Sequence, residues 1–250
     1  MTETPTVSPV AATRGTGQAA RRPAAVLAAL AVLGAGSLTA CVPEPPPLSE
    51  VWPTVRASVN DATSVRVSGD VRQGGHTIDV ELAGALDDSS YAGRLVEDKG
   101  TVEVVAADAT TFIRPDEKFL SAPGGSTFKD VDPKLWIALP SGREGAFSMS
   151  TFYDGFVSAL PEADAFDGRE PESQTLRLDG EQVFKYSDVE AGDSQVSLYI
   201  DQDDRLVRLE VEGGGDVNDG PVGTIDFRDW NEVPPAQAPP ADQVYQRPGL

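Results

Sequence analysis

From residue 65 onward, apolar and polar residues alternate with a period of two. Val65, Val67 and Val71 fall on one face, and Arg66, Ser68, Asp70 and Arg72 on the other. That is the pattern of a half-buried strand, and Gly74-Gly75 turns it into a hairpin. The return strand places Ile78, Val80, Leu82 and Leu86 on one face against Thr77, Asp79 and Glu81. The same period predicts strands over 91–97, 101–106, 111–114 and 118–121, joined by short turns into an antiparallel meander. A second meander follows over 174–178, 182–187, 195–200, 206–212 and 224–228. In it Val196, Leu198 and Ile200 share one face, as do Val207, Leu209 and Val211.

Two segments change period. Leu48, Val51, Trp52, Val55 and Val59 recur at helical spacing and predict a helix over 49–62, with Ser49 as its N-cap. Pro53 is tolerable there only in or near the first turn. Met149, Phe152, Tyr153, Phe156, Val157 and Leu160 form a wide apolar stripe, predicting a helix that Ser148 or Ser150 caps. Between the meanders lie a Gly-, Ser- and Asp-rich loop over 123–133 and a short apolar strand over 135–139. From Pro234 a Pro- and Ala-rich tail is expected to be mobile. Both helices must cover something, and the apolar face of the sheet is the only large candidate. The predicted class is α+β: a curved, mostly antiparallel sheet, a half-barrel, with helices over its concave apolar face.

The first forty residues add an address. Arg14, Arg21 and Arg22 face one acid, Glu3, and an apolar run from Ala24 to Gly36 leads into Leu38-Thr39-Ala40-Cys41. A basic region followed by about 7–15 apolar residues is a secretory signal, shorter than the roughly 20 of a membrane span. Leu38, the small Ala40 and a cysteine thiol together read as a lipobox. A diacylglyceryl group is expected on Cys41, with cleavage just before it. The expected divisions are a signal peptide over 1–40, the lipidated cysteine and proline-rich tether over 41–47, a domain over 48–233, and the tail over 234–250. Val42-Pro43-Glu44-Pro45-Pro46-Pro47 reads as a stiff, extended spacer. The expected place is the extracytoplasmic face of the cell membrane, held by lipid. Cys41 is the only cysteine, so no intrachain disulfide is possible.

Charge narrows the partners. The chain carries −20; residues 1–40 hold three arginines and one glutamate, leaving −22 beyond them. Such a surface repels nucleic acid. Chemistry is sparse. His76, the only histidine, sits beside a turn with no nucleophile elbow near any serine. Asp201-Gln202-Asp203-Asp204 faintly resembles a calcium loop, but Arg205 occupies the third ligand position, so the segment reads as a hairpin turn. Asp87-Asp88 and Asp130/Asp132 likewise read as solvated turns. No enzyme, cofactor or metal is expected.

The helix ending Ser58-Val59-Asn60-Asp61-Ala62-Thr63-Ser64-Val65, the hairpin partner Ile78-Asp79-Val80-Glu81-Leu82-Ala83-Gly84, the closing Ile225-Asp226-Phe227-Arg228-Asp229-Trp230-Asn231 and the lipobox together resemble the mycobacterial LppX/LprA/LprF/LprG lipoproteins. More distantly the chain is similar to the lipoprotein carrier LolA. The resemblance implies a half-barrel closed by helices over an apolar cavity that holds the acyl chains of a lipid or glycolipid. Only the lipidated cysteine carries over residue by residue, onto Cys41. Phe152, Tyr153 and Phe156 can be plain core or can line such a cavity with Val80, Leu82, Leu198 and Leu209. Two functions therefore stand: a monomeric lipid-binding lipoprotein, or an interaction or sensory lipoprotein with a solid core and an acidic face for a protein partner of unknown identity.

Overall fold

A computed structural model describes residues 43–73, 75–122, 131–139, 147–158, 160–166, 170–191, 194–212 and 222–246. The signal segment, Cys41, Gly74 and the Gly124-Gly125 loop lie outside the described residues, and so do the expectations placed on them.

The period-two segments form one open, eleven-stranded antiparallel sheet in the order β6-β5-β4-β3-β2-β1-β11-β10-β9-β8-β7. The strands are β1 (Ser64–Gln73), β2 (His76–Ala85), β3 (Tyr91–Glu97), β4 (Gly100–Ala107), β5 (Thr110–Pro115), β6 (Ile137–Ala138), β7 (Glu172–Leu178), β8 (Glu181–Ala191), β9 (Ser194–Asp201), β10 (Leu206–Glu212) and β11 (Val222–Arg228). Each meander is a wing, and the first and last strands join the wings at the centre with Val67 opposite Phe227 and Gly69 opposite Ile225. Glycine is required at that seam. A Cβ on Gly69 would lie 1.9 Å from the Thr224 carbonyl oxygen, and one on Gly223 would lie 1.9 Å from that of Asp70.

One face of the sheet carries the core. Val65, Val67, Val80, Leu82, Val104, Ile113, Leu198, Ile200, Leu209 and Ile225 are all buried in a single cluster. Helix α1 (Leu48–Asn60) lays Leu48, Trp52, Val55, Arg56 and Val59 into it. Helix α3 (Met149–Ser158) contributes Met149 and Tyr153.

Four expectations are corrected. Residues 118–121 are not a strand: Glu117–Ser121 is a short helix, α2, because the Asp116 carboxylate accepts a hydrogen bond from the Phe119 amide at 2.7 Å and starts a turn. The strand expected over 135–139 narrows to Ile137–Ala138, since Trp136 pairs with Val244. Ser49 is not the N-cap of α1, which begins one residue earlier, and Pro53 lies inside the helix on an exposed turn. The tail beyond Pro234 is docked as far as residue 246. Ala236 donates to Ser90 Oγ at 2.8 Å, the Trp136 amide donates to the Gln243 carbonyl at 2.8 Å, and Tyr245 donates to the Trp136 carbonyl at 2.7 Å. An apolar row on the outer face explains why it stays. Ala83, Ala92, Val105, Phe112 and Ala138 are register partners across five strands. Val233–Ala236 and Trp136 wall a shallow groove of about 600 Å³ over Ala83, Ala92 and Val105.

Candidate functional site

The two helices are held over the core by carboxylates from remote parts of the chain. A helix leaves its first amides without partners, and negative charge is favoured there. Pro47, before α1, offers no side-chain cap. Glu170 supplies one across 122 residues, accepting from the Leu48 amide at 2.8 Å, the Ser49 amide at 3.4 Å and the Ser49 hydroxyl. The Ser49 hydroxyl above all holds the Glu170 carboxyl below its ordinary range; burial opposes it, and the two amides reinforce it. At α3, Ser148 Oγ accepts from the Thr151 amide at 3.1 Å, so Ser148 is the cap. Asp88, in the β2–β3 turn, accepts from the Ser150 amide at 2.9 Å and from both serine hydroxyls. Asp88 is therefore more than a solvated turn residue. The sequence carries no sign of either pairing, because nothing local links a turn carboxylate to a helix 60 or 122 residues away.

The seven residues proposed from periodicity divide into two groups. Val80 and Leu82 on β2, and the register partners Leu198 and Leu209 on β9 and β10, are buried on the inner face. Tyr153 is buried under α1, where its hydroxyl donates to the Val59 carbonyl at 2.6 Å; burial pushes its phenol well above the ordinary range. Phe152 and Phe156 are only half buried, though they pack against the same core, as does Val157. Phe156 meets Phe227 edge-on at 6.2 Å, Phe227 stacks on Trp230 at 5.5 Å, and Trp230 meets Tyr153 at 6.3 Å. This four-ring cluster joins α3 to the end of β11. Sequence reasoning missed Phe227 and Trp230 as its members, although both lie in the closing segment quoted above.

Arg56 was also missed. It is 9% exposed, donates from Nη1 to Asn60 Oδ1 at 2.9 Å, and its Nε has no hydrogen-bond partner among the described residues. A buried guanidinium with no carboxylate partner among the described residues is uncommon, because desolvation is costly when it is not offset. Arg56 lies close enough to Tyr153 for its charge to act on the phenol.

The remaining candidates stay apart. His76 and Asp98 approach to 3.4 Å with both side chains more than two-thirds exposed. Asp201 Oδ1 accepts from the Asp203 and Arg205 amides at 2.9 Å each, closing the β9–β10 hairpin as expected.

The fold is similar to the crystal structure of LprF from Mycobacterium bovis, at 12% identity over 76% of this chain and 96% of that one, with a TM-score of 0.49. It is similar to the Mycobacterium tuberculosis lipoprotein LppX at 16% identity over 76% and 98% of the two chains, with a TM-score of 0.43. MucB is similar at 13% identity over 80% of this chain and 63% of its own, with a TM-score of 0.32. The first two are lipoproteins of the group that the sequence pattern resembles. At these identities and TM-scores, no ligand, activity or partner passes from them to this chain. No family model matches the sequence, and no curated protein matches it.

Proposed function

We propose that this chain is a lipid-anchored, non-enzymatic lipoprotein that binds the acyl chains of a lipid or glycolipid between the sheet and helices α1 and α3. The anchor is the diacylglyceryl group on Cys41, on the extracytoplasmic face. The observation that carries the reading is the roof at α3. Phe152, Phe156 and Val157 are half exposed while resting on one continuous apolar core. An acyl chain entering beneath that roof exchanges water for apolar contact, worth about 25 cal/mol per Å². The buried Nε of Arg56, without a hydrogen-bond partner among the described residues, offers a polar group near the α1–α3 crossing. An empty cavity costs roughly 24 cal/mol per Å³, so a ligand-free interior closes and a ligand opens it by lifting α3. Organic extraction of the purified protein followed by mass spectrometry tests this. Stoichiometric lipid is expected; its absence, with Phe152→Ala and Phe156→Ala leaving uptake of a fluorescent fatty acid unchanged, rejects the proposal.

A second reading draws on the filled core. Val80, Leu82, Leu198 and Leu209 are packed among other side chains, as an interaction or sensory lipoprotein with a solid interior requires. Its acidic face is partly neutralised, since Arg66 pairs with Asp229, Arg114 with Glu103, Lys185 with Glu210 and Arg208 with Asp226. Partner capture that survives high salt and charge reversal of the exposed Asp79 and Glu232 counts against it.

A further inference from the structure

The proline-rich spacer is part of the folded domain. Thr175 on β7 donates from Oγ1 to the Pro43 carbonyl at 2.6 Å, and Tyr186 on β8 donates from its hydroxyl to the Pro46 carbonyl at 2.8 Å. Glu170 then holds the amides where the spacer becomes α1. Thr175 is opposite Phe184, Phe184 is opposite Ile200, and Tyr186 is opposite Leu198. The spacer therefore crosses the inner face from β8 to β7, and β7 is the last strand of the sheet. Pro45 and Pro46 are half buried and Tyr186 is fully buried. Proline's fixed φ lowers the entropy that ordering such a segment costs.

We propose that the pinned spacer orients the protein on its membrane, with the β7 edge toward the bilayer and the β6 edge away from it. The proposal rests on the lipoprotein reading of Cys41. Cys41 precedes Pro43 by two residues, which span at most about 7 Å of extended chain. A free spacer of seven residues would let the domain tumble through about 25 Å of reach; the pins remove most of that freedom. The opposite edge is ten strand spacings away, about 48 Å along the sheet.

The test uses the full chain, lipidated and reconstituted in zwitterionic phosphatidylcholine vesicles containing brominated lipid. With Cys41 acylated, Ser173→Cys at the β7 edge or Lys134→Cys beside β6 supplies the only free thiol for a fluorophore. Both positions are exposed. The Ser173 label is expected to be quenched at least threefold more than the Lys134 label. Adding Thr175→Val and Tyr186→Phe, which remove only the pins, is expected to bring the two labels toward equality. Equal quenching in the vesicle-bound protein with intact pins overturns the orientation and leaves the anchor standing. A chain that floats with vesicles no better than Cys41→Ala overturns the lipoprotein reading and the orientation with it.

Discussion

The two proline-rich ends of this domain look alike in composition and are held in opposite ways. Residues 43–47 lie on the inner face of the C-terminal wing, fixed by the side chains of Thr175 and Tyr186, and Glu170 holds Leu48 just beyond them. Residues 234–246 lie on the outer face of the N-terminal wing, fixed mainly by backbone pairing with Trp136 and by an apolar row beneath them. The first continues into a buried helix and so is coupled to the core. The second ends the described chain and covers a surface. Proline content predicts extended backbone in both places. What each segment does depends on the partner that its carbonyls and amides find.

This contrast predicts unequal costs. The largest belongs to Leu48→Ala, at the point where the spacer enters α1. Leu48 is fully buried in the core cluster, so its truncation is expected to cost about 2–5 kcal/mol in urea unfolding. A loss under 1 kcal/mol would mean that the inner-face end is no better coupled than the tail.

Glu170→Ala comes next. It removes the carboxylate from three donors at the start of α1 and is expected to cost about 1–2 kcal/mol at neutral pH. The sign of its pH dependence follows from the lowered folded-state pKa. The unfolded carboxyl titrates near 4.5, so its contribution is complete above that pH and is lost as pH falls through the lower folded value. Unfolding curves of wild type and variant should therefore converge in acid. A gap that persists at pH 2 contradicts the carboxylate as the cause.

Ending the chain after Val233 should cost less, about 1 kcal/mol, because two backbone hydrogen bonds and the packing of Tyr245 are largely offset by the released chain entropy. Exposure of Trp136, now 8% exposed under the Arg114 guanidinium, should rise and redden its fluorescence. Unchanged emission would show that the tail does not cover it.

Much of this architecture was legible because it is periodic. Val65 to Val71 and Val196 to Ile200 alternate, and a strand buried on one face must do so. Met149 to Leu160 reads as a helix for the same reason. Illegible features were those set by pairs distant in sequence. The β1–β11 seam depends on glycines at 69 and 223 that look like ordinary turn formers. Residues 118–121 have an apolar Phe119-Leu120 that suits strand or helix, and only Asp116 decides between them. The candidate acyl site was half legible. The stripe on α3 announces the apolar face, but the half exposure of Phe152 and Phe156 depends on where Phe227 and Trp230 come to rest.

The finest distinction between the two ends is a single hydrogen bond at each. Thr175→Val removes the outermost pin of the spacer, and Ser90→Ala removes the Oγ that receives the Ala236 amide. Both bonds lie near solvent, where water replaces the lost partner, so each should change global stability by about 0.5 kcal/mol or less. Local opening should tell them apart. Without Thr175 Oγ1, Pro43 and Glu44 fray while Tyr186 and Glu170 keep the rest of the spacer in place. Without Ser90 Oγ, the next backbone anchor of the tail is at Gln243, seven residues on, so a longer segment opens. Limited proteolysis with a broad-specificity protease should therefore cut the Ser90→Ala tail several times faster than the Thr175→Val spacer. Equal rates would show that side-chain pins and backbone pairing hold the two ends equally well.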